Sequence, residues 1–197
     1  QHKTIYHQYP DSLTADAGYG SEENYQYLED NQIEGFVKYS SFDKQQSTNH
    51  YKKNPFATEH LHYNEQKDCY YCPMGQMMNC IGVYQKQTGT GFRQTIKKYR
   101  AQNCDGCPLR GVCHDSKYNR VIEVNHNLKR HKAIAKEKLN SEEGIEKRKQ
   151  RCCDVEPVFG NIKSNHKFNR FMLRGKRKVT IEIGLLALAQ NLRKKAA

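Results

Sequence analysis

Apolar and polar positions follow different rhythms in successive zones of this chain. Between residues 10 and 42, SLTADAGY mixes small, β-branched and aromatic residues and ends in glycine, which predicts a short strand. GSEENYQYLEDNQ then takes a helix's spacing. Ser21 stands where an N-cap belongs, and Glu22 and Glu23 fall in the first turn, where the helix dipole favours acids. IEGFVKYSSF alternates as a second strand. Strand, helix and strand in that order favour a parallel pair in an α/β sheet.

From 43 to 125 the chain turns polar and rich in turn residues. CYYCPMGQMMNC leads to TGTGFRQT, whose glycines and threonines mark a hairpin tip, and then to YRAQNCDGCPLRGVCH. Aliphatic residues are too few there to hold a small subdomain together, so something else is expected to stabilise it. From 126 to the end the pattern is helical. NHNLKRHKAIAKEKLNSEEGIEKRKQR is rich in helix formers, and VTIEIGLLALAQNLRKK sets Ile181, Leu185, Leu188 and Leu192 at helical spacing. That stripe is expected to bury itself against the sheet of the first zone. The expected organisation is therefore 1–42, 43–125 and 126–197.

Composition adds a partner and a compartment. A length of 197 residues suits one domain with or without a sizeable insertion. The net charge of +12 implies a polyanion, nucleic acid ahead of a membrane surface, because the longest apolar run, near IGLLALA, is far too short to cross a bilayer. QHKTIYHQYP at the start has neither the apolar core nor the cleavage site of a signal peptide, so a cytoplasmic protein without a membrane partner is expected. In such a reducing compartment, clustered thiols bind metal more often than they form disulfides.

Six of the eight cysteines lie in the middle zone, and three of them, Cys104, Cys107 and Cys113, are spaced C-x-x-C-x5-C. Two thiolates two residues apart can close on one cation through a tight turn, and four protein ligands with no open position make a structural Zn²⁺ site. Cys72, in YYCPMG, completes the expected quartet of Cys72, Cys104, Cys107 and Cys113. An Fe–S cluster, Cys69 or Cys80 in place of Cys72, and His114 as a substitute ligand remain open alternatives. Cys152 and Cys153 read as small buried apolar residues, while His126 and His131 carry no ligand signal.

Between Lys147 and Lys178, Asp154 and Glu156 are the only acids in a strongly basic run. If the segment from Asp154 is helical, Glu156 and Lys163 are nearly in line on one face. With Lys167, Arg170, Arg174, Lys176, Arg177 and Lys178 following, that arrangement suits a carboxylate that meets a phosphate backbone through a bound cation. Asp16 ends the first strand, where open α/β sheets place ligands. Mg²⁺, or Mn²⁺ in its place, takes one or two carboxylates and fills its other positions with water and phosphate oxygens. A turn-forming Asp16, and a Glu156 that is merely a first-turn acid behind Asp154, are the alternatives.

TADAGYGSEENYQYL, VEPVFGNIK, HKFNRFMLRG and LLALAQNLRK together resemble the C-terminal part of bacterial insertion-sequence transposases of the DDE type. YYCPMG and YRAQNCDGCPLRGVC match the subgroup with a cysteine-bearing insertion. The resemblance implies a partial RNase H-like fold, α/β, built from strand–helix–strand and C-terminal helices, with a small cysteine-rich zinc-binding insertion. It implies DNA as partner, both transposon ends and target, with self-association. Asp16 would be the second metal-binding aspartate, Glu156 the glutamate, Lys163 a contact to the transposon end, and Arg151 the arginine that precedes the glutamate. No first aspartate precedes Asp16, so a C-terminal fragment is expected, inactive alone. Two other readings stay open: a non-enzymatic zinc-stabilised DNA-binding module, and an inactive transposase remnant.

Overall fold

Ser12–Ala15 (β1) and Glu34–Val37 (β2) run parallel, with Ser12 opposite Glu34 and Ala15 opposite Val37, as the order strand, helix, strand requires. The structure, a computed structural model, describes residues 2–47, 55–154, 156–165 and 167–196, without the side chains of His2, Ile5 and Glu156. It forms two compact units, 1–141 and 142–197.

In the first unit, a short helix α1 (His2–Tyr6) precedes β1, and α2 (Glu22–Asp30) crosses between the parallel strands. Its start is fixed as expected: Ser21 Oγ accepts the Asn24 N–H at 3.2 Å. Tyr25 and Leu28 on its inner face pack with Phe36 and Val37 of β2, Phe42 of the short helix α3 (Phe42–Gln45), and Ala135 and Leu139 of α4 (His126–Asn140). Burying each large apolar side chain in this cluster contributes about 1.5–3 kcal/mol. Tyr25 keeps its hydroxyl satisfied by donating to the Val37 carbonyl at 3.0 Å.

The other half of this unit is an antiparallel sheet of five strands in sequential order: Tyr63–Asn64 (β3), Cys69–Tyr71 (β4), Met77–Gln87 (β5), Arg93–Ala101 (β6) and Val121–Val124 (β7). The Gly/Thr-rich stretch is indeed a hairpin tip, closed by Thr88 N–H to the Phe92 carbonyl at 2.9 Å. The sheet does have a core of its own. Leu61, Tyr70, Met78, Tyr99, Ala101, Ile122 and Val124 are buried together. Tyrosines supply the area that aliphatic residues do not, Tyr70 and Tyr99 packing edge to face at 5.0 Å. The sheet is tied to α2 through Glu22, buried at 3% exposure, whose carboxylate accepts from Gln94, Asn125 and Asn127.

The helical run after 125 breaks at Ser141, which turns extended and donates its hydroxyl to the Lys138 carbonyl at 2.7 Å. The second unit follows as α5 (Glu142–Asp154), α6 (Glu156–Gly160), a π-helical turn over Asn161–Asn165, and α7 (Lys176–Ala196). Two expectations fail here. Ile181, Leu185, Leu188 and Leu192 are all exposed on α7, and Cys152 and Cys153 are exposed on α5.

Candidate functional site

Asp16 follows the last residue of β1, at the carboxyl end of both parallel strands. It is exposed, and Oδ1 accepts the Ala17 N–H at 2.8 Å, which caps a 3₁₀ turn over Ala17–Tyr19. That turn is pressed against the chain leaving β2. A Cβ at Gly20 would stand 2.3 Å from the Lys38 carbonyl oxygen, so only glycine fits this close approach. Lys38 itself is paired with Asp43 at 3.0 Å. The carboxylate of Asp16 is thus held at a strand end by a turn the sequence fixes.

The basic run belongs to the second unit. Glu156 opens α6, and its side chain lies outside the described residues. The α pitch gives way to π pitch at Asn161, so the seven-residue step from Glu156 to Lys163 is not the regular α period that would set them in line. Lys163, Lys167, Arg170, Arg174, Lys176, Arg177 and Lys178 are all exposed, and none forms an ion pair among the described residues. Lys176, Arg177 and Lys178 occupy the first turn of α7, which contains no acid. Cations add there to the positive end of the helix dipole, an arrangement that costs stability until an anion docks. Glu182 holds the preceding loop on α7 by accepting the Met172 and Leu173 N–H groups at 2.9 and 3.1 Å. Lys163 and Arg170 border one cleft, whose floor is Val158, Ile162, Phe168 and Leu186. Arg151 is half-buried near the end of α5.

The third group is the cysteines. Cys72, Cys104, Cys107 and Cys113 ring a cavity of about 20 Å³ together with His114 and Arg120, just above the volume of one water-sized sphere. Gly75 and Gly106 take left-handed φ values of 77° and 68°, which turns the chain sharply after Cys72 and between Cys104 and Cys107. All four thiols are free. The donors surround the cavity without yet converging: among the described residues no three His, Cys, Asp or Glu side chains are gathered closely enough to hold a metal ion. Cys69 is fully buried in the sheet and Cys80 lies beside its bulge, outside this ring.

The chain matches the family model described as "Transposase DDE domain" over residues 71–196. It belongs to the transposase DDE-domain family. No curated protein and no solved structure matches it. The family match takes in the cysteine ring, Glu156, Lys163 and the basic segment, while Asp16 precedes it. Transposases act on DNA, and those of the DDE kind use divalent metal ions. No helix among the described residues is long and apolar enough to cross a membrane.

Sequence reasoning overlooked two features of this transposase domain. Arg120 is buried, although an arginine in a basic chain reads as surface. Asp68, Lys97, Tyr63, Tyr99 and His126 form one polar cluster in the sheet. Lys97 Nζ donates to Asp68 at 2.7 Å, Tyr63 and Tyr99 donate to its other oxygen, and the Tyr99 hydroxyl meets His126 Nε2 at 2.7 Å. The Lys97 ammonium, followed by the two tyrosine hydroxyls, pulls Asp68 down to about 2. Burial first, then the charge of Lys97, holds His126 below its ordinary value. These five residues lie on β3, the turn after it, β6 and α4, so no local spacing announces them.

Proposed function

We propose that this chain works in DNA transposition, in metal-dependent cleavage of a DNA strand at a transposon end and transfer of that end to a target. The family match over residues 71–196 carries this reading. The fold it calls for is RNase H-like, and the cysteine-bearing segment and basic tail are those of a bacterial insertion-sequence enzyme. Asp16 and Glu156 each offer hard carboxylate oxygens, the donor chemistry that Mg²⁺ or Mn²⁺ prefers, and the exposed strand-end position of Asp16 suits that role. A divalent cation bound by such groups activates water and stabilises the entering and leaving oxygens of a phosphodiester. Arg151, Lys163 and the cations from Lys167 to Lys178 hold the phosphate backbone. The cysteine-lined cavity takes a structural Zn²⁺ through Cys72, Cys104, Cys107 and Cys113, which fixes the 104–113 loop on the sheet.

The test is excision in cells by the whole transposase that carries these residues, paired with DNA binding by the purified protein. Glu156→Gln and Asp16→Asn each remove one ionised ligand at nearly constant shape, so excision should fall at least about 100-fold while DNA affinity stays within about twofold. Excision at the unaltered rate in both variants would rule the assignment out.

A further inference from the structure

Arg120 poses a charge problem. It precedes β7, is only 8% exposed, and no carboxylate pairs with it among the described residues. A guanidinium stays protonated in proteins, so its charge needs a counter-charge within reach or the desolvation goes uncompensated. Its neighbour Arg110 meets that need conventionally, with Asp105 at 2.9 Å. Around Arg120 the polar partners are sulfur and a carbonyl. Nη1 donates to Cys113 Sγ at 3.0 Å, the Arg120 backbone N–H donates to Cys104 Sγ at 3.4 Å, and Nη2 donates to the Phe56 carbonyl. Two donors from one residue thus point at two of the four sulfurs that ring the cavity.

We infer that the cysteine ring is an anionic four-thiolate Zn²⁺ centre for which Arg120 is the counter-charge and positioning residue. This rests on the zinc reading above and specifies what holds it. Four thiolates on one Zn²⁺ leave a net charge of about −2, by the ligand chemistry of such sites. One buried guanidinium offsets half of that. The same N–H groups aim the Cys113 and Cys104 sulfurs, as outer partners of metal ligands do. Cys72, Cys104, Cys107 and Cys113 line a cavity of one-ion size and would hold the ion after the side chains close on it, since among the described residues no three such donors are gathered closely enough already. His114 is the competing donor: it lines the same cavity, and its Nδ1 is buried with no hydrogen-bond partner among the described residues. One observation favours sulfur over it. The Arg120 guanidinium already engages Cys113.

Zinc content and X-ray absorption at the zinc edge, on the purified chain, read the first shell; competition with a chelator reads affinity. The expected result is one zinc per chain with four sulfur neighbours, unchanged in His114→Ala. Arg120→Gln should weaken zinc binding about 10–100-fold, the usual cost of losing an outer partner. Arg120→Lys, which keeps the charge and loses the fork, should recover most of that loss, a rescue that lost packing alone would not give. Circular dichroism checks that both variants keep the sheet. A chain without zinc and with all four thiols titrating freely overturns the zinc reading and this inference together. Four sulfurs with Arg120→Gln binding as tightly as the parent overturns the role of Arg120 and leaves the zinc reading standing. Three sulfurs and one nitrogen, with zinc lost in His114→Ala, overturns the four-thiolate centre.

Discussion

His126 and His131 show how single residues make this fold sensitive to pH. Both sit in α4. His126 is capped by the Tyr99 hydroxyl and flanked by Lys97, Lys129 and Asp68, and His131 stacks on Tyr25 at 5.7 Å beside Arg130 and Glu29. In each, burial is the largest influence and lowers the value below the ordinary 6.5, with a neighbouring cation next. The unfolded chain therefore binds protons that the folded chain refuses. Stability from these groups is complete above the unfolded value and declines as pH falls through 6.5, until the folded forms protonate in turn. Asp68 acts in a lower window: its folded value of about 2 lies below the ordinary 3.8, so its contribution is present above that range and vanishes between the two. Urea midpoints measured from pH 7.5 to 5 should fall, and His126→Gln should flatten part of the slope. A midpoint constant over that range would contradict the burial argument.

At the scale of elements, α7 is the clearest case of a helix whose residues can be read singly. Gly184 lies in its interior, exposed, with nothing within 4 Å of where a Cβ would stand. Gly184→Ala should therefore stabilise the helix by about 0.5–1 kcal/mol through backbone entropy alone, seen as a higher thermal midpoint for α7 helicity. A lower midpoint would mean that something packs against that position. Elements with local signals were legible in the sequence: β1, α2 with its Ser21 cap, β2, and the 88–92 hairpin tip. What was not legible depended on distance or on pitch. Tyr70 and Tyr99 read as polar-zone residues until the sheet brings them edge to face, and the step from Glu156 to Lys163 loses its regular α period where π pitch begins at Asn161. The α7 stripe has helical spacing, but periodicity predicts a face and does not name what covers it. For the candidate site, spacing found the Cys104–Cys107–Cys113 set, which the structure places around one cavity with Cys72. It could not find Arg120, whose burial follows from the packing of the 56 and 120 segments.

For the molecule as a whole, charge is the property that the proposed function uses. Within the excess of +12, seven exposed cations that form no ion pair among the described residues lie between Lys163 and Lys178. If these groups neutralise phosphates, binding to duplex DNA releases condensed counterions, and log affinity falls with log salt by about 0.9 for each contact. Lys176, Arg177 and Lys178 are the informative subset, because they share the first turn of α7 and can be removed without touching the Glu182 clamp or the 162–171 packing. Replacing all three by alanine should reduce the magnitude of the salt slope by about 2–3 and weaken binding alike across unrelated sequences. The same change puts alanine where cations oppose the helix dipole, so thermal stability should hold or rise slightly. Fluorescence anisotropy across a salt series separates the two effects. A lost slope with intact stability assigns the turn to phosphate binding, whereas an unchanged slope would show that DNA meets this chain elsewhere.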